Sequence, residues 1–196
     1  MTMQTPIRQS GHPVDPLFPA RWSPRAFSDA TLTEAQVQVL LEAARWAPSA
    51  ANHQPWRLVW ALRDEPGFRA ILDGLVPFNR DWAEKAAALV VVASKDRMAD
   101  RDGSEADNRW AAFDSGAAWM SLALQAARDG LAAHAMGGFD AAALAASLAL
   151  PEGHSLHAVV AVGHPGRPDS LPEPLRAREV PSPRLALEEI AFRGRF

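Results

Sequence analysis

The sequence contains no cysteine. That absence removes disulfides, thiolate catalysis and cysteine metal ligands together, and it fits a reducing compartment. No run approaches the roughly 20 apolar residues needed to span a bilayer, and Met1 to Ser10 lacks the apolar core of a secretory leader. The expectation is a soluble, cytoplasmic protein with no membrane partner. An excess of one charge is missing too: 20 Lys and Arg stand against 23 Asp and Glu, spread along the chain. Nucleic acid is therefore not an expected partner.

Several catalytic signatures are also absent. There is no His-Glu-x-x-His, no Gly-x-Ser-x-Gly elbow, no phosphate loop ending in Gly-Lys-Ser/Thr, and no Gly-x-Gly-x-x-Gly after a strand. The six histidines make no metal site by spacing; His154 and His157, three apart on a strand, would face opposite sides. What remains is a set of dispersed arginines, hydroxyls and amides with no evident nucleophile, the pattern of a chain whose reactivity comes from a bound cofactor.

At 196 residues there is ample material for a buried core, read here as an extended arm over 1–20 followed by one domain over 21–196. The arm carries Pro6, Pro13, Pro16 and Pro19 with little periodicity. Thr33-Glu34-Ala35-Gln36 has capping-box spacing, and Val37, Leu40, Leu41 and Ala44 follow at helical intervals, which predicts a helix over about 34–46. A strand is expected from Arg57 to Leu62, a helix through Phe68, Ile71 and Leu72, a break at Pro77, and a short helix through Ala83 to Ala86. Ala88 to Ala93 reads as a central strand buried on both faces. Lys95 to Asp107 reads as a charged loop, either a lid or a solvated connection.

The longest helix is expected over about 108–129, with Trp110, Phe113, Ala117, Ser121 and Leu124 on its repeating stripe and alanines that permit close helix packing, in the core or across a dimer. Further strands are expected at 131–136 and 155–162, with Asp140 capping an alanine-rich helix between them. The six prolines from Pro165 to Pro183 suggest an extended excursion without a core of its own, ending in a helix through Ile190.

Two stretches carry candidate chemistry. Arg21-Trp22-Ser23-Pro24-Arg25 places two guanidiniums and a hydroxyl within five residues, either an anion clamp or a solvated turn. Pro48-Ser49-Ala50-Ala51-Asn52-His53-Gln54-Pro55 is a small polar loop between helix and strand. Its hydroxyl and amides can serve a heteroaromatic ring of alternating donors and acceptors, or they can satisfy their own backbone. His53 reads as a solvent-side or interface residue.

With these stretches in view, the chain resembles the nitroreductase family of FMN-dependent oxidoreductases. The likeness runs from Arg21 to about Phe192 and rests on Arg21-x-Ser23-x-Arg25-x-Phe27, Ala47-Pro48-Ser49-x-x-Asn52-x-Gln54-Pro55-Trp56, Met136-Gly137-Gly138-Phe139-Asp140 and Pro183-Arg184, with Phe78-Asn79-Arg80-Asp81-Trp82 as a further segment. The resemblance implies an α+β fold, a mixed, mainly antiparallel central sheet flanked by helices, assembled as a homodimer with FMN at the interface. It implies that Arg21, Ser23 and Arg184 hold the FMN phosphate, with Trp22 beside them, and that Arg25 sits near N1 and O2 of the flavin. Pro48, Ser49, Ala50, Asn52 and Gln54 would meet the ring edge and ribityl chain, Ser49 and Asn52 reaching the other subunit's FMN. Asn79 would approach the pyrimidine side, and backbone at Met136, Gly137 and Gly138 would lie near N5. The implied reaction is ping-pong hydride transfer from NADH or NADPH through FMN to a small acceptor such as a nitroaromatic or quinone, with no protein acid or base. Two departures stand out: Trp82 where better-known members place a lysine near flavin O2, and Ser182 in place of a basic residue that often helps hold the phosphate. A flavin-handling protein without NAD(P)H turnover, and a reductase or dehalogenase of one defined metabolite, are the alternatives on this fold.

Overall fold

A computed structural model describes residues 8–99 and 103–196; most of the expected leaderless stretch Met1 to Ser10, the start of the arm and the tip of the charged loop lie outside the described residues. The described part of the arm runs without regular structure into one helical turn, α1 (Leu17–Ala20). Helix α2 (Glu34–Arg45) begins where the sequence signals it. The Thr33 hydroxyl accepts the Gln36 N–H at 3.3 Å, while the Gln36 side chain accepts the Thr33 N–H at 2.9 Å. Two otherwise orphaned donors are satisfied reciprocally.

Strand β1 (Trp56–Leu62) and helix α3 (Pro66–Asp73) follow. Helix α4 (Pro77–Ala83) corrects the expected break, because Pro77 starts a helix instead of ending one. Its missing N–H is one that a first helical turn leaves unbonded, and its fixed φ suits that position. The expected short helix at 83–86 is thereby moved forward. Strand β2 (Ala88–Lys95) is the apolar run, and the charged segment after it is a hairpin of β3 (Arg97–Ala99) and β4 (Glu105–Asp107). Arg97 fastens that hairpin to Asp107 at 2.5 Å.

Helix α5 (Ala111–Arg128) leads to β5 (Ala132–Met136), α6 (Ala141–Ser147) and β6 (His154–Gly163). The Asp140 carboxylate caps α6 by accepting the Ala143 N–H at 3.0 Å. On α5, Trp110 and Phe113 of the repeating stripe are exposed, whereas Ala111, Ala118, Leu122, Ala123 and Ala126 are buried. Small residues let α5 lie close against α2 and the sheet.

The sheet runs β1-β2-β6-β5, antiparallel at each described pairing. Alternation along its inner strands divides the core in two. Leu89, Val91, Val159 and Ala161 join Phe68, Ile71, Leu72 and Leu144 on one side. Val90, Val92, Val160 and Val162 join Val37, Leu40, Leu122 and Ala126 on the other. Both faces are covered, so the inner strands read as unbroken apolar runs.

The proline-rich excursion is more than an extended strap. It contains a short helix, α7 (Glu173–Arg176), and Leu171 and Leu175 are 6% and 5% exposed within the first core cluster. The final helix is reduced to one 3-10 turn, Leu187–Glu189. The excursion's start also fixes the Arg21 segment. Phe27 bridges Pro165, the Gly166 N–H donates to the Ala26 carbonyl at 2.8 Å, and a Cβ at Gly166 would stand 2.5 Å from the Phe27 carbonyl group. Only glycine allows that approach.

Two substitutions in α2 test this packing through the urea midpoint at constant slope. Leu40→Ala should cost about 2–5 kcal/mol, the range for an emptied leucine site, and Thr33→Ala about 1 kcal/mol through the lost cap.

Candidate functional site

Five of the residues marked in the sequence meet in one place. Arg21, Trp22, Ser23, Arg25 and Arg184 line a cavity of about 500 Å³, together with Arg8, His134 and Arg178. Arg21 donates to the Ser23 hydroxyl at 3.3 Å, and Arg184 donates to the Ser182 and Pro183 carbonyls at 3.3 and 3.1 Å. Among the described residues no carboxylate pairs with Arg8, Arg21 or Arg184. Burial, then the guanidiniums of Arg8 and Arg184, push the Arg21 pKa below its usual value. Arg21 stays charged nonetheless. Like charges gathered without a carboxylate partner create a positive potential that favours an anion.

Arg25 has a different partner. The buried Glu179 carboxylate accepts the N–H groups of Arg25 and Ala26 through one oxygen, each at 2.7 Å, and stands 3.9 Å from the Arg25 guanidinium. This acid clamps the Arg21–Phe27 segment from below. The Arg25 Nε is buried without a partner, so the guanidinium has donor capacity to spare.

His134 lies on β5 facing the same cavity, its Nδ1 3.0 Å from the Pro24 carbonyl and its ring 4.7 Å from that of Trp82. A carbonyl can only accept, so Nδ1 carries the proton and Nε2 is left as an acceptor. Burial, outweighing the Pro24 hydrogen bond, pushes the His134 pKa down to about 4. The histidine is neutral at pH 7. Trp82 is 2% exposed and packs between Phe27 and His134, so its indole belongs to the core beneath the site.

The far end of β5 brings Asn79 of α4 to the glycine turn. The Gly138 carbonyl accepts the Val76 N–H and the Asn79 side-chain amide, both at 3.1 Å. A Cβ at Gly138 would stand 2.6 Å from the Asn79 amide nitrogen and 3.0 Å from Val76, whereas one at Gly137 would meet nothing within 4 Å. Gly138 is thus required by the closeness of α4, and Gly137 faces open space. Met136, the last residue of β5, is buried.

The polar loop is elsewhere. Pro48, Ser49, Ala50, Asn52 and Gln54 precede β1, at the opposite edge of the sheet from β5, and none of them lines the arginine cavity. Ala51, Asn52 and Gln54 have φ of 47°, 57° and 48°. A left-handed conformation costs a non-glycine residue on the order of 1 kcal/mol. The Ser49 hydroxyl offsets this by accepting the Gln54 N–H at 3.0 Å, and the buried Asp114 carboxylate by accepting the Ala50 N–H at 3.1 Å. The loop does satisfy its own backbone, and it leaves the Asn52 and Gln54 side chains exposed.

The sequence reading did not single out Arg8, His134, Arg178 or Glu179. Arg8 stands in a stretch without periodicity and meets Ser182 across 174 residues of chain. Glu179 and Arg178 lie within the proline-rich excursion, where no pattern marks a site.

The family model described as "Nitroreductase family" matches residues 19–164. The chain belongs to the nitroreductase family. A crystal structure of an oxidoreductase containing FMN superposes on this chain with a TM-score of 0.94 at 42% identity, covering 99% of this chain and 98% of the other. A Desulfovibrio desulfuricans nitroreductase solved with FMN gives a TM-score of 0.74 at 27% identity, covering 95% and 99%. A Streptomyces coelicolor protein named as an NADH dehydrogenase/NAD(P)H nitroreductase is 31% identical over 73% of this chain and 78% of its own length.

His134 gives the chain a pH signature. An unfolded histidine takes up a proton near pH 6.5, which folded His134 refuses until about pH 4. The unfolded state binds more protons in that window, so stability falls as pH drops through it. Between pH 7 and pH 5 the loss should be about 2 kcal/mol, read from urea midpoints. His134→Phe should remove most of that slope.

Proposed function

We propose that the arginine cavity and the glycine turn that follows β5 hold FMN, and that the protein is an FMN-dependent oxidoreductase using NADH or NADPH to reduce a small acceptor, a nitroaromatic or quinone among them. The observation that carries this reading is the gathering of Arg8, Arg21 and Arg184, with which no carboxylate pairs among the described residues, around a cavity that also takes His134 of β5, the strand that leads to Gly138. That donor set fits a phosphate dianion followed by a polar ring. The chemistry that bound FMN supplies is two-electron hydride transfer between reductant and acceptor.

The chain's own residues bind and orient. Arg21, Ser23 and Arg184 would take the phosphate, with Trp22 beside them. Arg25, which lines the cavity, would meet the ring where negative charge gathers on reduction, which raises the reduction potential. Gly138, its carbonyl already committed to Val76 and Asn79, would present its N–H to the ring, while Asn79 keeps a second amide hydrogen and its oxygen for the pyrimidine side. No side chain is needed as acid or base, so residues 21–196 act as a single FMN-binding domain behind the 1–20 arm.

A homodimer completes this site. The outer stripe of α5 leaves Phe113 74% exposed along with Trp110 and Met120, and Trp46 at the end of α2 is 73% exposed. The tail adds Leu185, Leu187, Ile190, Phe192 and Phe196, all exposed in the single chain. Apolar surface on this scale marks an interface. A second copy against α5 would cover it and bring the Ser49–Gln54 loop, held by Asp114 of α5, to the partner's cavity. Among the described residues no helix is long and apolar enough to cross a membrane.

Stopped-flow mixing of the FMN-loaded protein with NADH and with NADPH tests the activity. Rapid bleaching of the flavin band by either nucleotide is expected, and a flavin that stays oxidised with both would leave a flavin-handling protein without turnover. Arg21→Ala and Arg184→Ala should each weaken FMN binding by about 1.5 to 3 kcal/mol, the scale of a lost hydrogen bond to a charged group. Unchanged titration curves for both variants would remove the phosphate assignment.

A further inference from the structure

We propose that Arg8, on the N-terminal arm, is a phosphate-binding residue of this site, so that the arm is part of the cofactor cradle. The inference rests on the FMN reading of the cavity. Arg8 lines the cavity with Arg21 and Arg184, yet it comes from a segment that precedes the family match at residue 19. Three backbone carbonyls hold its guanidinium in place: those of Pro19, at 2.9 Å, of Ser182, at 3.3 Å, and of Arg21. Those carbonyls join the arm, the Arg21 segment and the C-terminal excursion at one point.

The donor count favours a ligand. A guanidinium has five N–H groups, and the three bonds to carbonyls leave two for an anion. Among the described residues no carboxylate takes them. Nearby Arg184 disfavours the charge on Arg8, adding to the effect of burial. Carbonyl dipoles offset only part of that repulsion, and a phosphate dianion between the three guanidiniums reverses its sign. Ser182 itself lines the cavity, and its carbonyl helps to position Arg8.

The test compares FMN with riboflavin, which has the ring and ribityl chain but no phosphate. Full-length wild type, Arg8→Ala and Arg8→Lys are stripped of flavin, checked for equal thermal melts, and titrated with each flavin. Arg8→Ala should raise the Kd for FMN by about ten- to a hundredfold and leave that for riboflavin within about twofold, with Arg8→Lys in between. An FMN Kd within about twofold of wild type overturns the proposal. So does an equal loss for FMN and riboflavin, which would make Arg8 a structural tether, or a raised KM for NADPH alone, which would move its charge to the reductant's 2′-phosphate. Wild type that binds the two flavins equally well overturns the phosphate site as a whole, Arg21 and Arg184 included. Wild type that binds neither overturns the FMN reading itself.

Discussion

Repulsion among guanidiniums is the constraint on which the site depends. Arg8 and Arg21 from the start of the chain and Arg184 from its far end reach one cavity, and among the described residues no carboxylate pairs with them. Like charges at this spacing destabilise one another unless an anion intervenes. The fold bears the strain through backbone: Pro19, Arg21, Ser182 and Pro183 each turn a carbonyl toward one of these guanidiniums. Glu179 does complementary work one layer down, holding the Arg25 and Ala26 amides so that the segment cannot spring away. A site built this way is stabilised by its ligand, and ligand binding and local stability are linked.

The sheet determines what can join that site. With β1 and β5 at opposite edges, the Ser49–Gln54 loop and the arginine cavity of one chain are kept apart. Both nonetheless have the marks of a constructed surface, the loop in its three left-handed residues and its anchor on buried Asp114. The exposed stripe of α5 lies beside that anchor. In the proposed homodimer, one helix serves both purposes: its small-residue face packs inward on α2 and the sheet, and its aromatic face is left for the second copy.

Much of the fold is legible in the sequence because its signals are local. The Thr33–Gln36 box, the Asp140 cap and the apolar run of β2 each carry their physics within a few residues. The Pro77 helix obeys the same rules, since proline that breaks a helix interior favours a helix start; the choice depends on the residues after the proline, and the Phe78–Trp82 stripe is too short to show it. The β3–β4 hairpin is hidden by charge, because an exposed ribbon needs no apolar alternation. The buried face of α5 is left open by the sequence, because bulky and small residues both repeat at helical spacing and close packing selects alanine for the inside. Within the site, Arg21, Ser23 and Arg25 sit in one recognisable motif, but the bond from Arg8 to Ser182 and that from Arg25 to Glu179 each span more than 150 residues of sequence. No window along the chain contains both partners.

The central claim is that this cavity takes FMN in a two-fold assembly. The most direct measurement is the visible absorbance spectrum of the purified, gel-filtered protein, with molar mass determined by light scattering on the same peak. A yellow species with twice the chain mass and one FMN per chain is the predicted result. A colourless protein that stays colourless after incubation with FMN would contradict it, and would leave the arginine cluster with a different anion to hold.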